Sequence, residues 1–235
     1  MCIRDRNLTF QYSFSPRLRF VFYNYLTTGA EAGRLSQVTV HGGILDRVSN
    51  VAYKYQSSSD DYHSDLGIAG DTVQIRRGTR TTGGSFDYVY TQYRYYKNGD
   101  ANGSNHQLKM EFNNEAIDRI LRARPDLEGP EGILTLADNE LVAGKPLRDF
   151  ATRRVTYYTG NIATTGLEGL YGGTNATEFP SAVPGGMVRT VSDQTGCGSC
   201  GGGGIGTTTE YYYLDLHQDS TNLSDVARIL SLIHI

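Results

Sequence analysis

The feature that most restricts what this chain can become is a recurrence of short Tyr-rich runs that alternate in polarity and end in turn residues. Arg19-Phe20-Val21-Phe22-Tyr23-Asn24-Tyr25 is followed by a Gly-bearing turn over 29–33 and then by Arg34-Leu35-Ser36-Gln37-Val38-Thr39-Val40. Leu35 and Val38 fall out of phase, which predicts a bulge in the second run. A second pair joins Asn50-Val51-Ala52-Tyr53-Lys54-Tyr55 to Asp71-Thr72-Val73-Gln74-Ile75-Arg76 across the polar stretch 57–64. A third joins Phe86–Tyr90 and Tyr93–Tyr96 to Gln107–Phe112, and further runs lie at Arg153–Tyr158, Met187–Val191 and Thr207–Leu214. A period of two suits a pleated surface, and Gly, Asn and Asp between such runs are hairpin signals. With 17 Tyr, 28 Gly and no Trp, the chain is predicted to be mainly β, built of consecutive antiparallel hairpins.

One segment breaks this period. Ile117, Ile120 and Leu121 recur at helical spacing, Asn113 or Asn114 can cap the helix, and Pro125 lies just past its end. A second short helix is expected from Thr135, ended by Gly144 and Pro146. Residues 113–150 therefore read as a helical insertion between two sets of hairpins, 7–112 and 151–229.

The ends stand apart. Met1-Cys2-Ile3-Arg4-Asp5-Arg6 and Leu230-Ser231-Leu232-Ile233-His234-Ile235 resemble translations of the mosaic-end adapter of transposon-based sequencing libraries, one in each orientation. Residues 1–6 and 230–235 are accordingly expected to be adapter artefacts without essential core contacts, flanking an internal fragment. Leaving out Arg4, Asp5 and Arg6 moves the formal charge from −3 to −4. A weakly acidic chain lacks the basic patch that nucleic acid requires, so no nucleic-acid partner is expected. No apolar run reaches the roughly 18 residues of a membrane-spanning helix.

Several local patterns could carry chemistry. Cys197-Gly198-Ser199-Cys200 could be a local disulfide, two free thiols, half of a metal site or a redox pair. A metal site lacks a second Cys pair, with His217 the one nearby addition, and a redox pair lacks a βαβ setting. A disulfide there would pin a turn, since loop entropy for four residues is only about 2 kcal/mol, against roughly 4.7 for a hundred. Asn98-Gly99-Asp100-Ala101-Asn102-Gly103 starts like a calcium loop, but Lys109 stands where the bidentate Glu belongs, so a hairpin turn is expected. Gly201–Gly204 lacks the Lys-Ser/Thr ending of a phosphate loop. Asp60, Asp61, His63 and Asp65 read as a solvated loop rather than a metal site. His41, His63, His106 and His217 are scattered, and no Gly-x-Ser-x-Gly elbow is present. No catalytic residue, metal or cofactor is assigned, and the chain is not expected to be an enzyme.

Tyr23-Asn24-Tyr25 with Gly33-Arg34-Leu35-Ser36-Gln37-Val38 resembles the unit of the Rhs/YD-repeat family: Tyr-x-Tyr-Asp, a turn, Gly-Arg-Leu and a β run. Leu26 takes the Asp position and the turn is longer than usual. Tyr53-Lys54-Tyr55 matches the first half, with Gln56 at the Asp position. Arg154–Tyr158, Tyr93–Lys109 and Thr195–Gly202 are also similar to sequence in large bacterial members. The spacing is irregular, so the repeat has no fixed period. The resemblance implies a YD-repeat ribbon, an open segment of a spiral β-shell that is secreted or displayed at the cell surface. It implies as partners the adjacent repeats of the same full-length chain, and an encapsulated C-terminal toxin or a cell-surface carbohydrate. The expected function is a structural repeat segment. The alternative is a carbohydrate-binding adhesin module, and the two differ in whether the Tyr rings pack between strands or line an exposed groove.

Overall fold

A computed structural model describes residues 19–29, 31–42, 46–57, 63–97, 99–158, 186–194, 206–215 and 229–232. These residues are mainly β, with thirteen strands against two α-helices and two 3-10 turns. The strands are β1 (Arg19–Tyr25), β2 (Leu35–Gly42), β3 (Asp46–Tyr55), β4 (Thr72–Arg80), β5 (Phe86–Tyr95), β6 (Leu108–Phe112), β7 (Leu141–Val142), β8 (Lys145–Pro146), β9 (Arg153–Tyr157), β10 (Val188–Asp193), β11 (Thr207–Glu210), β12 (Tyr212–Asp215) and β13 (Ile229–Leu232). The helices are α1 (Asn114–Ala123) and α2 (Gly129–Ile133). The chain divides into two compact units, one of residues 1–94 with 111–150 and one of 95–110 with 151–235.

In the first unit β1 to β5 lie side by side in chain order, each antiparallel to the next. The bulge expected in the Leu35–Val40 run is present: Tyr25 pairs with Leu35 but Asn24 with Gln37, leaving Ser36 as the extra residue. In the second unit β9, β10 and β11 pair in order, and β12 pairs with β13. Residues 230–232 belong to the terminal string that reads as foreign, and their backbone forms this last ladder. Residues 1–6 lie outside the described part.

The helical segment is built as its sequence pattern dictates at its start and differently at its end. The side chain of Asn113 accepts the Ala116 N–H at 2.9 Å and caps α1, while Asn114 Oδ1 accepts the backbone N–H of Tyr90 in β5 at 3.0 Å. Ile117 and Ile120 are wholly buried, each contributing about 1.5–3 kcal/mol of apolar burial. The helix packs on α2 and on the 3-10 turn Leu147–Phe150. The second helix expected from Thr135 is corrected. It lies earlier, at Gly129–Ile133, opened by Pro130. Thr135 follows its end, and its hydroxyl donates back to the Gly132 carbonyl at 2.8 Å instead of capping a new turn. Ala143 and Gly144, at φ 49° and 77°, then make a hairpin turn between β7 and β8. Gly144 and Pro146 thus belong to a strand pair rather than a helix end.

Candidate functional site

Several connections between paired strands close in the same way. Leu26 donates its N–H to the Arg34 carbonyl, and Gly33 donates back to the Leu26 carbonyl, both at 2.8 Å. Gln56 does the same with Asp71 and Gly70 at 2.7 and 2.8 Å, and Tyr158 with Met187 and Gly186 at 2.9 and 2.7 Å. The short hairpin at Thr81, Gly84 and Ser85 closes alike, at 2.9 and 3.0 Å. One residue faces two, so each of these glycines takes a positive φ, 88°, 94°, 93° and 85° for residues 33, 70, 186 and 84. In a fifth closure Tyr96 donates to Gln107 at 2.9 Å, and the position before Gln107 is His106 at φ 66°.

Side chains stitch one closure to the next. Arg34 Nη1 donates to the Gly70 carbonyl at 2.6 Å, and Gln107 Nε2 donates to the Gly186 carbonyl at 3.0 Å. In both cases the residue after one bulge position holds the bulge glycine of the following closure. A Cβ on Gly70 would lie 2.2 Å from the Arg34 guanidinium, so this close approach is a second reason for glycine there.

Three tyrosines, each at or just past a strand end, add further bonds. The hydroxyls of Tyr55, Tyr96 and Tyr158 donate to the backbone carbonyls of Leu35, Val155 and Tyr211 at 2.8, 2.9 and 3.0 Å. Arg34, Lys109 and Arg189 lie over the same three rings, 5.3, 5.4 and 5.9 Å from their centroids. Burial raises the Tyr55 and Tyr158 phenols, against the opposing pull of Arg34 and Arg189. Among the described residues most Tyr side chains are at least half-buried. Among those described, Tyr23 and Tyr25 on β1 and Tyr88 on β5 are the exposed ones, and Arg76 covers the Tyr88 ring at 4.8 Å.

The insertion docks on the first unit's sheet through polar groups that the Tyr-rich pattern had hidden. Arg94 on β5 is 1% exposed. Its Nη1 donates to the Leu136 carbonyl at 2.9 Å and to Asp138 Oδ1 at 2.8 Å, and its Nη2 donates to the Ile133 carbonyl at 3.1 Å. Burial lowers its pKa, and the Asp138 charge opposes that. Gln74 and Gln92 pair across β4 and β5, and Gln92 also reaches the Pro130 carbonyl at 2.6 Å. Glu131 on α2 accepts from Gln74 at 2.8 Å and meets Lys54. An arginine and two glutamines amid apolar and Tyr strand positions were the available signal.

The sequence candidates fall as follows. Cys197, Cys200, His217, Gly201–Gly204, Asp60 and Asp61 lie outside the described residues. His63 Nδ1 accepts the Asp65 N–H at 3.1 Å, and Asp65 accepts the Asp138 N–H at 3.0 Å. Asp65 thereby ties the loop to the insertion, as does the His63 N–H, which donates to the Leu134 carbonyl at 3.0 Å. Asp100 accepts the Lys97 N–H at 3.1 Å and forms an ion pair with the Lys109 ammonium at 3.6 Å. Among the described residues no group of three or more His, Cys, Asp and Glu is placed to hold a metal ion. Among them, too, no helix is long and apolar enough to cross a membrane. No protein-family model, curated protein or solved structure matches the chain.

Proposed function

We propose that this chain is a structural repeat segment of a YD-repeat protein, contributing hairpins to an extracellular or toxin-encapsulating β-shell. The observation that carries the reading is the stitch in which Arg34 holds Gly70 and Gln107 holds Gly186. Such bonds join one hairpin closure to the next, as a ribbon needs and as a catalytic site does not. A lone hairpin is marginal in water, so each unit depends on its neighbours. The reading assigns the chain no catalytic role, no cofactor and, as partners, the adjoining repeats and an enclosed cargo.

A carbohydrate-binding surface module is the second reading. Tyr23 and Tyr25 favour it, since they share one face of β1 and are each 44% exposed. Sedimentation and denaturant unfolding of the chain separate the two. A ribbon segment has sheet edges that template association, so self-association or a broad, non-cooperative transition is expected. A stable monomer with one sharp transition would overturn the scaffold reading in favour of the self-contained module.

A further inference from the structure

One face of the first unit's sheet holds a polar group with nothing to bond to. Asn50 on β3 is 1% exposed, and neither Oδ1 nor Nδ2 has a hydrogen-bond partner among the described residues. Gly78 on β4 stands directly opposite, with Tyr88 on β5 beyond it. A Cβ at Gly78 would come within 2.2 Å of Asn50 Oδ1 and 2.8 Å of the Tyr88 ring, so the bare glycine is what lets the amide lie there. Two arginines flank it. Arg47 lies over Phe86 at 4.7 Å and Arg76 over Tyr88 at 4.8 Å, and these two rings stack at 6.1 Å. Each arginine has a buried Nε without a partner among the described residues, while both side chains remain part-exposed.

We propose that this patch binds a hydroxylated carboxylate of the uronic-acid class. The unpartnered groups define the ligand. Asn50 Nδ2, Arg47 Nε and Arg76 Nε are donors, and two of the three carry positive charge, so the complement is an oxyanion. Asn50 Oδ1 is an acceptor and calls for a hydroxyl beside that oxyanion, which acetate or sulfate does not offer. The Phe86–Tyr88 pair supplies an apolar wall for a sugar ring. Burying such groups unpaired destabilises the folded state, and a ligand that pairs them recovers that loss.

The test titrates the full chain with galacturonate, using galactose and acetate as controls, and follows by NMR the backbone amide of Gly78, opposite Asn50 and present in every variant. A saturable shift is expected with galacturonate, with binding at least about tenfold weaker for each control. Asn50→Leu should abolish the titration while keeping or raising the melting temperature, because it removes an unpaired buried amide. Arg47→Gln, at a part-exposed position, should weaken binding about tenfold and serves if the first variant does not fold. No saturable binding, equal binding of acetate, or binding unchanged in the variants would overturn the proposal. So would a folded Asn50→Leu with a clearly lowered melting temperature, which would mean that ordered water already satisfies the amide. The proposal does not rest on the scaffold reading: the variants leave the closures at Gly33, Gly70 and Gly186 intact, and self-association tests those alone.

Discussion

A single residue tests the geometry of the closures. Four of the five place glycine where φ must be positive, and the fifth places His106 there at φ 66°. A side chain in the left-handed region costs about 1–2 kcal/mol. Glycine removes that cost and returns part of it through the greater freedom of the unfolded chain. His106→Gly should therefore stabilise the protein by about 0.5–1 kcal/mol, read as a raised denaturant midpoint at unchanged slope. A lowered midpoint would mean that the contacts of the His106 side chain outweigh its backbone strain. The same residue explains why the repeat is only partly legible in sequence. Gly33-Arg34-Leu35 after Tyr23-Asn24-Tyr25 can be read directly, because both halves are short and close together. The closure at Tyr96 hides because histidine fills the glycine position. That at Tyr158 hides because its partner, Gly186, lies far along the chain.

At the scale of elements, the insertion is held to its sheet by charge as well as by apolar packing. Helix α1 was legible because its apolar spacing, its asparagine cap and Pro125 agree. The following elements were not, because Thr135 and Gly144 suit either a helix boundary or a turn, and tertiary contacts decide between them. Arg94 sits in a strand read as a Tyr-rich surface, and no local pattern announces that it bonds to carbonyls from the insertion. Removing its counter-charge leaves a buried guanidinium without its anion, which typically costs about 3–5 kcal/mol. Asp138→Ala should lose that much in urea unfolding. Arg94→Met should lose less, since it removes the buried charge itself and leaves only the Ile133 and Leu136 carbonyls without that donor. Equal losses would show that the bonds to the carbonyls, rather than the ion pair, fix the insertion.

Across the whole molecule, the tyrosines make the fold sensitive to alkali. Burial raises the phenols of Tyr55 and Tyr93 in the first unit and of Tyr157 and Tyr158 in the second, from a starting value of 10.0. The folded chain thus holds these protons more tightly than the unfolded chain does. Their contribution to stability is complete below about pH 10 and is lost as pH rises through the raised folded values. The structural reason is direct for two of them. A phenolate cannot donate to the Leu35 or Tyr211 carbonyl, and its charge repels the oxygen that now faces it. In a titration upward from pH 9, Tyr55, Tyr93, Tyr157 and Tyr158 should ionise, by their absorbance, together with the loss of the β signal in circular dichroism. Replacing Tyr55 and Tyr158 by Phe should cost about 1 kcal/mol per hydroxyl at neutral pH. The same variant should make stability fall less steeply above pH 10, because two of the linked protons are gone. If those four ionised while the β signal stayed intact, the hydroxyl anchors would be dispensable to the hairpins they join.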